Sequence, residues 1–187
     1  MDFTASIQRN PLVASVSDLA RLDAALKSPC EIIFLLKGDI FSIPDAVRRI
    51  HQAEKKVYIH FDLMEGFSRE QVALRFLKEK ADPDGIITTR VNLIKFAKEL
   101  QFSTIQRVFM LDSLSVETAI RSIKSTRPHA IELLPGIIPR VVKRVCQETR
   151  IPVIAGGLIE SKEDIIATLQ AGDRKSTRLN SSHITIS

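Results

Sequence analysis

Polar and ionisable residues sit where the apolar segments of this chain end: Lys37, His60, Asp62, Thr88, Thr89, Arg90, Gln106, Arg107, Asp112 and Glu132, followed by Gly136, Gly156 and Gly157. An unpaired charge taken out of water is costly, so so many ionisable groups beside buried-type segments imply pairing or ligand duties. His60 and Asp62 are two apart on an extended segment and would share one face. A carboxylate there could orient the imidazole or raise its pKa, which suits a general base, a metal ligand or a phosphate donor. An internal salt bridge is the plainer alternative. A metal is disfavoured, because two ligands on one strand need carboxylates from elsewhere, with Glu132 the first candidate. Arg90 and Arg107 suit a dianionic oxygen ligand, since guanidinium donates bidentately and stays charged. They equally suit structural pairing with Asp62, Asp112 or Glu132, and residue counts do not separate the two readings. Gly156-Gly157 follows an apolar strand and precedes a helix start at Ser161 with Glu163 and Asp164 in its first turn. Backbone N–H groups converging there could cradle an anion, or the glycines could simply make a tight turn.

These residues need a scaffold, and its pattern is repetitive. Apolar strands are expected at 11–16, 31–36, 57–63, 85–89, 104–111, 130–134 and 152–155, alternating with helices at 17–27, 44–54, 68–80, 92–100, 113–126, 139–149 and 161–170. Strands apolar on both faces, short connections and no Gly/Ser-rich linker predict one α/β domain with a parallel sheet over residues 1–172. Even spacing and the lack of a polar edge strand favour a TIM-barrel-like (β/α) fold over a doubly wound sheet. Seven strand-helix units are present, and the last unit looks truncated. After Gly172 the chain reads DRKSTRLNSSHITIS, polar and resembling translated adapter or vector sequence. Residues 173–187 are therefore expected to be a non-native, disordered tail, leaving the domain without its final strand and helix.

Without that tail the chain carries 24 Lys/Arg against 21 Asp/Glu, a balance that permits a nucleic-acid partner without requiring one. No apolar run could span a bilayer and the first residues do not begin a secretory signal, so a cytoplasmic protein is expected. Cys30 and Cys146 lack metal or redox spacing and read as reduced structural thiols.

Several phrases taken together resemble the glycerol uptake operon antiterminator family: HFDL at 60–63, GIITTR at 85–90, IQRVFMLD at 105–112, IELLPG at 131–136 with Pro139, and IAGGLI at 154–159. The match runs in order from about Asn10 to Gly172. It implies a barrel-like, non-enzymatic regulator whose effector is glycerol 3-phosphate and whose partner is the leader mRNA of glycerol-utilisation genes, with no cofactor and no membrane. Gly136, Gly156 and Gly157 would cradle the phosphate, with Arg90 and Arg107 as charge partners. Lys37, His60, Asp62, Gln106, Asp112 and Glu132 are further barrel-mouth candidates. Coupling would run through an effector-favoured conformation or homo-oligomer. The family continues past Gly172 into another strand and a short helix; losing them would impair effector binding and expose a barrel edge. Base stacking of the RRM type is not indicated, with one Tyr and no Trp. Basic residues on helices, at Arg48-Arg49, Lys55-Lys56, Lys95, Lys98, Arg140 and Lys143-Arg144, could supply a phosphate-tracking surface or could simply be ordinary solvated helix faces, the commoner case. The rival reading is a small barrel enzyme, an isomerase, epimerase or lyase of a phosphorylated metabolite, using His60, Asp62 or Glu132 for proton transfer.

Overall fold

A computed structural model describes residues 3–172 and 182–186. Eight parallel strands close into a barrel in chain order: β1 (Leu12–Val16), β2 (Ile32–Leu35), β3 (Lys56–His60), β4 (Gly85–Thr88), β5 (Ser103–Phe109), β6 (Ala130–Leu134), β7 (Val153–Ala155) and β8 (Ser182–Ile186). Helix α1 (Phe3–Arg9) precedes β1. Helices α2 (Leu22–Lys27), α3 (Ile43–Gln52), α4 (Gln71–Lys80), α5 (Val91–Glu99), α6 (Ser113–Thr126), α7 (Pro139–Thr149) and α8 (Lys162–Gly172) follow β1 to β7 in turn.

The strands have to be apolar on both faces, because one face fills the barrel and the other carries the helices. β2 (IIFL) and β7 (VIA) are buried at every position. Val13, Ile32, Phe34, Tyr58, Ile87, Ile105, Ala130 and Ile154 form one cluster with Phe3 and Ile7 of α1. The intervening strand residues pack instead against helices, as Ile59 does with Val47 and Leu77, and Leu133 with Val142 and Val145. Each such side chain removed from water stabilises the fold by about 1.5–3 kcal/mol. Helix α1, which the sequence reading did not anticipate, sets Phe3 edge-on to Tyr58 at 5.2 Å between ring centroids and plugs the end of the barrel where the strands begin.

Helix starts follow local chemistry. Ser161 and Asp164 cap α8 reciprocally, the Asp164 N–H donating to Ser161 Oγ at 3.0 Å and the Ser161 N–H to Asp164 Oδ2 at 2.9 Å. Pro139 opens α7 at a position where no N–H is needed. Cys30 and Cys146 are buried and are not joined in a disulfide.

The seven strand-helix units are as expected, but the eighth strand is a correction. Ser182–Ile186 pairs with β7 on one side and β1 on the other, closing a sheet expected to end at seven. Without it the edges of β1 and β7 would be left with unpaired backbone groups, and SHITI carries a short polar/apolar alternation with two isoleucines and a threonine. The rest of the expected foreign tail, 173–181 and 187, lies outside the described residues. Among the described residues no helix is long and apolar enough to cross a membrane.

Candidate functional site

Barrel interiors fill in layers drawn from alternate strands. Following the strand registers round the sheet, Val13, Tyr58, Ile105 and Ile154 make one layer from β1, β3, β5 and β7. Two residues further along each strand comes the next layer on the same face: Ser15, His60, Arg107 and Gly156. The core thus changes from apolar to polar in one step towards the C-terminal ends of the strands. Glu132 of β6 faces the interior beside it, directly opposite Arg107 in the β5–β6 register.

Arg107 donates from Nε and Nη2 to Glu132 at 2.6 and 3.0 Å, a bidentate pair with the two side chains 11% and 2% exposed. Burial pushes the Glu132 carboxyl up from its ordinary pKa, and the Arg107 guanidinium opposes that rise. Burial is the larger effect, so the carboxyl stays above its ordinary value even though two charge-assisted hydrogen bonds from the guanidinium favour the carboxylate form.

His60 is 2% exposed, and neither Nδ1 nor Nε2 has a hydrogen-bond partner. Burial lowers its pKa to about 4, with the positive charge of Arg107 adding to the shift and Asp62 opposing it. The ring is neutral at physiological pH, with one nitrogen a donor and the other an acceptor. The Ser15 hydroxyl, in the same layer, is likewise enclosed and unpartnered.

Asp62 does not share a strand face with His60, contrary to the sequence reading. β3 stops at His60 and Phe61–Leu63 form a 3-10 turn, which carries Asp62 to the rim. Its carboxylate accepts from Thr88 Oγ1 at 2.6 Å, from the Thr89 N–H at 2.7 Å and from Thr89 Oγ1 at 2.8 Å. Burial would raise its pKa, but the Thr88 and Thr89 hydrogen bonds and nearby His60 outweigh that and hold it below the ordinary value. The Asp62–His60 salt bridge and the raised histidine pKa are both overturned. Arg90, the residue preceding α5, is half-exposed, with Nε 4.0 Å from Asp62 Oδ1.

A family model described as glycerol-3-phosphate responsive antiterminator matches residues 12–179. The chain belongs to that family. It is 39% identical over 166 residues to the uncharacterized protein YgcP of Escherichia coli K12, covering 89% of this chain and 87% of that one. The crystal structure of a glycerol uptake operon antiterminator regulatory protein from Listeria monocytogenes is similar at TM-score 0.88 and 31% identity, covering 99% of this chain and 95% of that one. A glycerol uptake operon antiterminator-related protein from Thermotoga maritima gives 0.79 and 27%, covering 94% and 93%.

For this antiterminator-family chain, the remaining expected site residues separate by geometry. Arg90, Gly157 and Lys37 reach the open end of the barrel, and Arg107, His60 and Glu132 lie inside it. Lys37 is exposed in a groove beside Asp18, Asp39 and Glu65. Gln106 is not a mouth residue: it takes the opposite parity to Arg107 and bonds Ser122 and Thr126 of α6, at 2.8 and 2.6 Å. Asp112 is the N-cap of α6, accepting from the Ser115 N–H at 2.7 Å, so its carboxylate serves the helix end. The Gly136 N–H donates to Gly156 O at 2.6 Å, and the Gly156 N–H donates to Leu133 O at 3.0 Å. Those two amides are committed to the backbone, leaving the exposed Gly157, at φ 73°, as the glycine of the three turned to the solvent side. A Cβ on Gly136 would lie 2.8 Å from both Ala155 Cβ and Gly156 N. Gly136→Ala should therefore cost about 1–3 kcal/mol in urea unfolding through overpacking alone; an unchanged midpoint would sink that account. Ser15 escaped the sequence reading, although its two-residue offset from Val13 places it on the inner face.

Proposed function

We propose that this protein is a cytoplasmic, glycerol-3-phosphate-responsive regulator that binds the leader mRNA of glycerol-utilisation genes and promotes transcription antitermination. The observation that carries the reading is the family match over residues 12–179. The site's geometry supports it: cationic Arg90 at the rim and a polar interior of Ser15, His60, Arg107 and Glu132 suit a small phosphorylated polyol. The phosphate lies at the mouth against Arg90 and the Gly157 turn, where anions bind in many (β/α) barrels. Gly136 and Gly156 shape that turn, and Arg107 presents the edge of its guanidinium that Glu132 does not take.

The enzyme reading draws less support from the same groups. Proton transfer needs a titrating side chain poised near the working pH. Asp62 is occupied by Thr88 and Thr89, Glu132 by Arg107, and His60 titrates well below neutrality.

Titration of a glycerol-operon leader transcript at fixed salt, with and without glycerol 3-phosphate, tests the proposal. Coupling energies between sites are typically about 1–3 kcal/mol, so RNA affinity is expected to tighten roughly 5- to 150-fold with effector. The affinity should also fall as salt rises, since cationic side chains release counterions from the RNA. Effector binding with no change in RNA affinity would defeat it.

A further inference from the structure

We propose that His60 reads the hydroxyl groups of the ligand, binding the polyol end inside the barrel through its two ring nitrogens while the phosphate stays at the rim. This rests on the reading of the barrel as a glycerol 3-phosphate site and deepens it by assigning orientation and specificity.

Buried polar atoms almost always have partners, and leaving one unsatisfied costs about 1–3 kcal/mol. His60 leaves two unsatisfied, and Ser15 of the same layer a third. The layer is also thinly filled. Gly156 contributes no side chain and Ser15 a small one, where the layer beneath carries Val13, Tyr58, Ile105 and Ile154. Small residues at two of its four positions and unused hydrogen-bonding capacity coincide at one level of the barrel.

The chemistry selects a hydroxyl over a phosphate there. A neutral imidazole offers one donor and one acceptor, and so does each alcohol group; a phosphate dianion offers only acceptors and would face the bare ring nitrogen. The cation inside, Arg107, is already neutralised by Glu132. Arg90 at the rim is held less closely, 4.0 Å from Asp62. Charge therefore favours the phosphate outside and the alcohols inside.

Calorimetric titration of the whole chain with glycerol 3-phosphate, propyl phosphate and inorganic phosphate tests this. Propyl phosphate keeps the carbon chain and loses both hydroxyls. The protein should prefer glycerol 3-phosphate to propyl phosphate by roughly 10- to 100-fold, the consequence of leaving the buried nitrogens unpaired. His60→Phe should collapse that ratio towards one. A variant that keeps the ratio, or a wild-type protein that binds both compounds equally, overturns the assignment while leaving the phosphate site standing. Failure of all three compounds to bind overturns the effector reading as well. Should His60→Phe not fold, the ring nitrogen resonances of His60 in the wild-type protein decide: they must shift when glycerol 3-phosphate is added, and unmoved signals refute the contact.

Discussion

Replacing Glu132 with alanine is expected to destabilise the fold by about 3–5 kcal/mol, because it strands a buried guanidinium. Arg107 is 11% exposed and spends two hydrogen bonds on this carboxylate, at 2.6 and 3.0 Å. Its position in the middle of β5 gives it little freedom to swing into water. A loss of that size is a large part of the roughly 5–15 kcal/mol that separates folded from unfolded protein. Glu132→Gln should cost less, since the amide oxygen still accepts from the guanidinium. The double replacement Arg107→Met with Glu132→Leu should be much milder than the sum of its parts, because removing both charges also removes their desolvation penalty. Urea unfolding at neutral pH of the wild type, the two Glu132 variants, Arg107→Met, Glu132→Leu and their double measures both comparisons. A Glu132→Ala variant within about 1 kcal/mol of wild type would mean that the pair is solvated and behaves like a surface bridge.

The scaffold was legible because a barrel strand turns one face to the interior and the other to the helices, which writes apolar runs such as IIFL at 32–35 into the sequence. The start of α8 was legible too, since capping chemistry is local: Ser161 and Asp164 meet across three residues. What failed was whatever depended on where a strand stops or which way it faces. The apolar run at 57–63 hides the end of β3 at His60, and that three-residue difference moves Asp62 from the interior to the rim. Gln106 and Arg107 are neighbours on one strand and cannot share a face, so a list of polar residues near strand ends cannot place both correctly. β8 is built from a segment whose alternation is only a few residues long, so its pairing is set by the edges of β1 and β7 more than by its own pattern. The bond between Glu132 and Arg107 spans 25 residues and comes from register, which no local pattern records.

The pH dependence of stability should carry the signature of His60. Its folded pKa is about 4, against about 6.5 for an imidazole in water. Protonation therefore favours the unfolded chain, where the imidazole is in water. Above about pH 6.5 both states are neutral and the residue has no effect on the slope. As pH falls from about 6.5 towards 4 the unfolded state binds a proton that the folded state refuses, so stability drops, and below about 4 the effect levels off. A gap of about 2.5 units at about 1.36 kcal/mol each places the total near 3 kcal/mol. The groups facing the ring set its direction: Arg107 and burial lower the pKa, and Asp62 raises it. The titrations of Asp62 and Glu132 contribute to the raw acid profile, so the comparison that isolates the imidazole is between wild type and His60→Gln, which lacks a titrating ring and keeps a donor and an acceptor. The wild-type curve should fall more steeply between pH 6.5 and 4, and parallel curves would place His60 in water.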